Sequence, residues 1–373
     1  MAAEGEVTAI PRRLTLPEAG SGPGLVLLGE ADQDAQGIAD LYAAEGYVVL
    51  CPEAKIEEIG VADITTAAAA LRSRGECTGK VGALGFGRGG RLAYLAAAEV
   101  GVDCAVVYHG SGIEGALDLA PRIRCPLVMH FAGNDPEVAR VKTAFEGCSD
   151  IAIYVYPGVA RGFDRPAGAE YDKPAARRAH SRSIARLRQA LGPHYDLEAL
   201  WDQHTLYEFG TRDVAGTMRT MVPEPYVNHI PVMTGGVGGQ ELARFYARHF
   251  IPKCPADFKL TPISRTIGAD RLVDEMVVSF THDVEIDWML PGIPPTGKYV
   301  EVPTVAIVNF RGDKLAHEHI YWDQASVLVQ IGLLDPAGLP VAGSETAKKL
   351  VDETRPSNTL MRRWAESAPK AAQ

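Results

Sequence analysis

Six short apolar runs, spaced through the first half, constrain the fold of this chain more than any other feature. They are GLVLLGE (24–30), GYVVLCP (46–52), KVGALGF (80–86), CAVVYHG (104–110), PLVMHFAG (126–133) and IAIYVYPG (151–158). Each has strand length and is apolar on both faces, so each must be covered on both sides. Amphipathic stretches between them, such as AQGIADLYAAEG and ADITTAAAALRSRG, supply the cover. Strand–helix alternation of this kind predicts a parallel, doubly wound α/β sheet. KPAARRAHSRSIARLRQALG (173–192) reads as a charged helix that closes the pattern at Gly192.

After Pro193 the pattern changes. Helical DLEALWDQHTLYEFGTRD and GQELARFYARHFIP come first. Alternating FKLTPISRTIG, RLVDEMVVSFTHDVEID, KYVEVPTVAIVNFRG and KLAHEHIYWDQ follow, with hairpin turns at Gly268–Asp270 and Arg311–Asp313. Helices followed by strands predict an α+β domain with a curved antiparallel sheet. A length of 373 residues also exceeds what one core usually supports. The expectation is two domains, residues 1–195 and 196–373.

The net charge of −10 argues against nucleic acid or an anionic membrane as partner. No apolar run reaches the roughly 18 residues of a membrane span. The leading MAAEGEVTAIPRR lacks a signal-peptide core. Cys51, Cys77, Cys104, Cys125, Cys148 and Cys254 form no CxxC pair and read as reduced thiols. A cytoplasmic protein is expected, with ESAPKAAQ fraying at the end.

One motif raises a question of chemistry. GKVGALGFGRGGRLAYLAAA (79–98) has the strand, tight glycine turn and helix of a nucleophile elbow, with Gly87 at the tip. Residues 24–190 resemble the dienelactone hydrolase family. The resemblance is carried by IADLYAAEGYVVLCPE, GKVGALGFGRGG, AVVYHGSGIE, PLVMHFAGNDPEV and YPGVARGF. It implies an α/β-hydrolase fold, with the family's elbow cysteine at Gly87, its histidine at Arg161 and its aspartate at Asp135. Glycine cannot attack a carbonyl, and arginine does not give up its proton. The domain is therefore expected to be catalytically inactive. The elbow reads as a structural remnant, as a pocket where Arg88 or Arg161 holds an anion, or as a site of unrecognised new chemistry. His109 and His130 read as core histidines, and Glu30 is assigned no role.

In the second half, alternation places His317, His319, Tyr321 and Asp323 on one strand face and Ala316, Glu318, Ile320 and Trp322 on the other. Both faces carry polar groups, so alternation alone leaves the inner face open. LPGIPPTGKYVEVP and AIVNFRGDKLAHEHIYWDQASVLVQIGLL resemble the SnoaL-like branch of the NTF2-like superfamily, over about 197–335. That resemblance implies a cone enclosing an apolar pocket and makes Asp323 the general base.

Around Asp323 the expected catalytic residues are His319, Tyr321, His282 and His229. Tyr226, Asn228, Trp288, Leu290 and His317 are expected to bind substrate, with IDWMLPGIPP (286–295) as a pocket wall. Arg265 and Glu275 read as a cross-strand pair. TGGVGG (234–239) lacks the features of a phosphate loop and reads as a flexible loop or pocket rim. A His-x-His pair at 317 and 319 with Asp323 could ligate a metal, but no thiolate is near in sequence, and no metal is expected.

The expected function is general acid/base catalysis, of isomerase, aldol cyclase or retro-aldol lyase type, on a small apolar carbonyl or hydroxyl compound, without a cofactor. The alternatives are an ester or lactone hydrolase and a non-catalytic small-molecule binding protein. A homodimer is expected by analogy with NTF2-like sheets.

Overall fold

The structure, a computed structural model, describes residues 12–29 and 33–367. Glu30, most of the leading segment and residues 368–373 lie outside them. The chain forms two compact units that divide between Tyr195 and Asp196.

The first unit runs β1 (Arg12–Thr15), β2 (Gly22–Leu28), α1 (Gln33–Ala44), β3 (Val48–Pro52), α2 (Val61–Arg72), β4 (Cys77–Phe86) and α3 (Arg88–Leu95). It continues with β5 (Cys104–Tyr108), β6 (Leu127–Ala132), α4 (Val138–Ala144), β7 (Ile151–Tyr156) and α5 (Lys173–Leu191). The strands assemble in the order β1-β3-β2-β4-β5-β6-β7. All neighbours are parallel except β1, which pairs antiparallel with β3. This is the doubly wound sheet the six apolar runs require. β2, β5 and β6 are buried along their whole length. α5 starts at Asp172, whose carboxylate accepts from the Ala175 amide, and ends at Gly192 (φ +82°).

The second unit runs α6 (Leu197–Thr205), α7 (Val214–Arg219), β8 (Met221–His229), β9 (Thr234–Val237), α8 (Gly239–Phe245), β10 (Lys259–Ile267), β11 (Arg271–Thr281), β12 (Tyr299–Arg311), β13 (Lys314–Trp322), α9 (Gln324–Gln330) and α10 (Glu345–Val351). Its sheet order is β10-β11-β12-β13-β8-β9. Every pair is antiparallel except β13 with β8, so the sheet is mixed rather than wholly antiparallel. β12 alternates buried and half-exposed residues along its length, as a sheet with one covered face demands. This is an α+β fold built on one mixed sheet. TGGVGG contributes β9 and is not a loop alone. Arg265 pairs with Asp274, directly opposite it, rather than with Glu275.

Two helices of the second unit end in a widened π turn. α6 runs into residues 206–210 and α8 into residues 246–250. Such turns add a residue to the helix and re-aim the side chains around it. Both feed the interior of the unit. Among the described residues, no helix is long and apolar enough to cross a membrane.

Candidate functional site

In the first unit the elbow is preserved as backbone. Gly87 has φ +56° and ψ −117°, a conformation that a side chain adopts only under strain. A Cβ placed there would meet no atom within 4 Å, so the tip faces open space. The positions expected for the family's histidine and aspartate do come together. Arg161 Nε and Nη2 donate to the two Asp135 oxygens at 2.9 and 2.8 Å. Nη2 also donates to Glu137 at 3.2 Å. The Asp135 side chain is fully buried, and the guanidinium is fixed on it as a fork. The pair keeps the shape of a carboxylate–base dyad and cannot exchange protons at neutral pH.

Arg88 is tied to Glu57 at 2.6 Å on the surface. His130 sits in a buried network, bonded to Tyr156 and to Ser183 at 2.9 Å each. Burial holds its imidazole well below the usual range and therefore neutral. His109 is buried beside Asp164, 2.6 Å from its carboxylate.

In the second unit a hollow lies over the sheet. It offers about 50 Å³ to the centre of a water molecule. At roughly 10–15 Å³ per water, this admits a few solvent molecules or a compact organic group. Aromatic side chains make most of its wall, among them Trp288, Trp322, Phe250 and Phe258. Glu208, Tyr246, His229 and Glu318 give it polar character.

β13 shows why these residues and not others face inward. Glu318, Ile320 and Trp322 line the hollow, and on the parallel neighbour β8 so do Val227 and His229. The opposite face therefore points out, and five sequence expectations are corrected. His317, His319 and Tyr321, with Tyr226 and Asn228 on β8, lie on the outer face. There Tyr226 stacks edge-on against His319 with ring centres 5.5 Å apart, and Tyr321 is 40 % exposed. Asp323 is corrected as well. It is exposed, and its carboxylate caps α9 by accepting from the Ala325 amide at 3.0 Å. The strand ends at Trp322, so Asp323 no longer follows the alternation that placed it inward.

Of the remaining expected residues, His229 and Trp288 line the hollow. Leu290 is buried but is not part of the lining. His282 is buried beside residues 296–298, bonded to Thr296 at 3.1 Å, and holds that loop through its own carbonyl.

The group that sequence reasoning missed is a buried acid–base cluster. His204, from α6, directs Nε2 at Glu208 Oε1 and Glu318 Oε1, each 3.2 Å away. Its Nδ1 lies 2.6 Å from Thr220 Oγ1, and that hydroxyl donates to the Thr217 carbonyl at 2.6 Å. Nδ1 must therefore carry a proton. Burial alone would lower the imidazole, but Glu208 and Glu318 outweigh it and lift the pKa to about 10. Burial likewise pushes the Glu208 carboxyl up. The Tyr246 hydroxyl lies next to Glu208, buried and without a well-formed bond, and Glu318 Oε1 is likewise unsatisfied. His229 donates Nδ1–H to the Thr234 carbonyl at 3.2 Å. Burial lowers it to about 4, so Nε2 is a bare acceptor. Two signals in the sequence could have found this cluster. Glu318 is the one charge on a face otherwise made of Ala316, Ile320 and Trp322, and His204 and Glu208 stand four apart on one helix face.

Parts of the chain are similar to known proteins. The dienelactone hydrolase family model matches residues 53–191. A putative carboxymethylenebutenolidase of Azospirillum brasilense is 33% identical over 209 residues, covering 46% of this chain and 90% of that protein. A putative dienelactone hydrolase from Klebsiella pneumoniae aligns at 19% identity and TM-score 0.43, over 48% of this chain and 93% of its own. A putative SnoaL-like polyketide cyclase from a Jannaschia species aligns at 18% identity and TM-score 0.30, over 39% of this chain and 99% of its own. Through its first unit the chain belongs to the dienelactone hydrolase family.

Proposed function

We propose that the chain moves a proton on a small, largely apolar carbonyl or hydroxyl compound held in the hollow of the second unit. The reaction is an isomerisation, an aldol closure or its retro-aldol reverse, chemistry that asks for no organic cofactor. The observation that carries this reading is Glu318: a carboxylate 3 % exposed, lining a mostly apolar hollow, with Oε1 held by the ion pair to His204 at 3.2 Å and no well-formed hydrogen bond. A buried carboxylate so weakly held costs stability and asks for a reason. Abstraction of a proton next to a carbonyl supplies one.

In this reading Glu318 is the base. Tyr246, whose buried hydroxyl lies beside Glu208 without a well-formed bond, donates to the oxygen where negative charge develops. His204 touches no substrate. It lies behind the two carboxylates and orients them, a positioning residue. Trp288, Trp322 and Phe250 keep water from the forming enolate. His229 offers Nε2 to a substrate hydroxyl.

The test is exchange of α-hydrogens for deuterium in a panel of small ketones and aldehydes, followed by proton NMR in D2O. Glu318→Gln is expected to lower the rate by at least about a hundredfold, in the range of a lost general base. Asp323→Asn and Gly87→Ala are expected to leave it unchanged. Exchange that survives Glu318→Gln overturns the assignment.

A second reading, an ester or lactone hydrolase in the first unit, has the retained elbow conformation of Gly87 in its favour. It lacks a nucleophilic side chain at the tip, and Arg161 occupies the base position bonded to Asp135. Turnover of p-nitrophenyl acetate that Arg161→Met abolishes would establish it.

A further inference from the structure

The polar end of the hollow holds more than a proton relay requires. His204 Nε2 stands 3.2 Å from an oxygen of Glu208 and 3.2 Å from an oxygen of Glu318, and the three ligand atoms lie within 4.8 Å of one another. The two 3.2 Å separations are those of donors around one cation with bonds of about 2.0–2.2 Å. We propose that His204, Glu208 and Glu318 bind a divalent first-row transition-metal ion at the polar end of the hollow.

Three further observations carry the proposal. The first is the orientation of the imidazole. Thr220 Oγ1 spends its own hydrogen on the Thr217 carbonyl and can only accept from His204 Nδ1. A histidine anchored through Nδ1–H presents the Nε2 lone pair, the arrangement that an outer hydrogen bond gives a metal-binding imidazole.

The second is the donor set. Two carboxyl groups from different elements converge on one buried imidazole, and one nitrogen with two oxygens is a set that a single cation engages at once.

The third is satisfaction. One Nε2 proton cannot serve two carboxylates, and Glu318 Oε1 makes no well-formed hydrogen bond although the residue is only 3 % exposed. A cation at the common point engages both.

One nitrogen and two carboxylate oxygens suit zinc, manganese or iron(II) better than calcium or magnesium. Glu208 and Glu318 line the hollow, so the ion would have open positions on that side. The inference shares its residues with the acid–base reading and gives it a cation where the substrate oxygen arrives, but its test needs no substrate.

The full-length chain is stripped with a chelator and titrated with Co²⁺, followed by visible absorption and calorimetry. One ion per chain is expected, without the near-ultraviolet sulfur-to-cobalt band that the free cysteines would give. His204→Gln and Glu318→Gln are expected to weaken binding by more than about tenfold. His317→Ala with His319→Ala is expected to change nothing. Should the variants fail to fold, the wild-type chain still decides the matter. Bound Co²⁺ is expected to give a hyperfine-shifted exchangeable NMR line from one histidine Nδ1–H. No saturable binding, a sulfur band, no such line, or binding indifferent to both substitutions overturns the proposal. Cation binding without α-hydrogen exchange would sink only the acid–base reading, and exchange without cation binding only this one.

Discussion

Restoring a side chain at the elbow tests how much of the hydrolase machinery the first unit has kept. In Gly87→Cys the new Cβ has no atom within 4 Å, so the cost is backbone strain at φ +56° without a clash. A residue held in such a region costs about 1–3 kcal/mol. At roughly 2–4 °C per kcal/mol for a unit of this size, the melting temperature should fall by about 2–12 °C. Gly85→Ala, two residues earlier, is the control. Its Cβ would overlap the Gly89 carbonyl in the tight strand–helix turn, and loss of more than about 4 kcal/mol is expected. Differential scanning calorimetry reads both. Adding Arg161→His to Gly87→Cys rebuilds a thiol, an imidazole and the buried Asp135 carboxylate in one place. The double variant should hydrolyse p-nitrophenyl acetate with a burst of acyl-enzyme, where the native chain should not. If Gly87→Cys destabilises as severely as Gly85→Ala, or if the native chain already shows that burst, the first unit does not hold an elbow that has merely lost its nucleophile.

The remaining predictions concern single groups. Arg161→Met strands the buried Asp135 carboxylate and should cost roughly 2 kcal/mol in urea unfolding of the first unit, less than for a fully buried pair because Arg161 is 39% exposed. Asp323→Ala removes the cap of α9 and should cost about 1 kcal/mol while leaving α-hydrogen exchange intact. His229 has its pKa lowered from 6.5 to about 4. The unfolded chain therefore takes up a proton that the folded one refuses, and stability should fall by up to about 3 kcal/mol as the pH drops from 6.5 to 4. His229→Gln should remove that part of the acid slope. An unchanged slope would show that the imidazole is not held neutral.

The first unit was legible because its strands are buried on both faces and leave continuous apolar runs. β1 was not, since RRLT is short, charged and half exposed at the sheet edge. In the second unit β8 escaped notice because Pro223 and Pro225 interrupt it, and prolines argue against a strand inside a sheet. The strand–turn–helix around Gly87 could be read directly, because sequence order fixes that turn. The site in the hollow could not. On β13 both faces carry polar groups, and the inward face is set by β8 and β12 on either side of it. Missing β8 left that choice open. Asp323 follows the last strand residue and turns outward to cap the next helix, an event that strand periodicity does not announce. The cluster gathers residues more than a hundred positions apart, His204 and Glu208 on one helix and Glu318 on a strand, so only the fold assembles it.

Proton transfer at Glu318, as proposed, requires a substrate to seat inside the hollow. A crystal structure of the full chain with a small phenol, a mimic of an enolate, tests it most directly. The predicted result is a phenol in the hollow between Trp288 and Trp322, its oxygen within about 3.2 Å of the Tyr246 hydroxyl and its ring beside Glu318. A phenol seated instead against Asp323 and His319, or at the Gly87 turn, with the hollow holding only water, would contradict it.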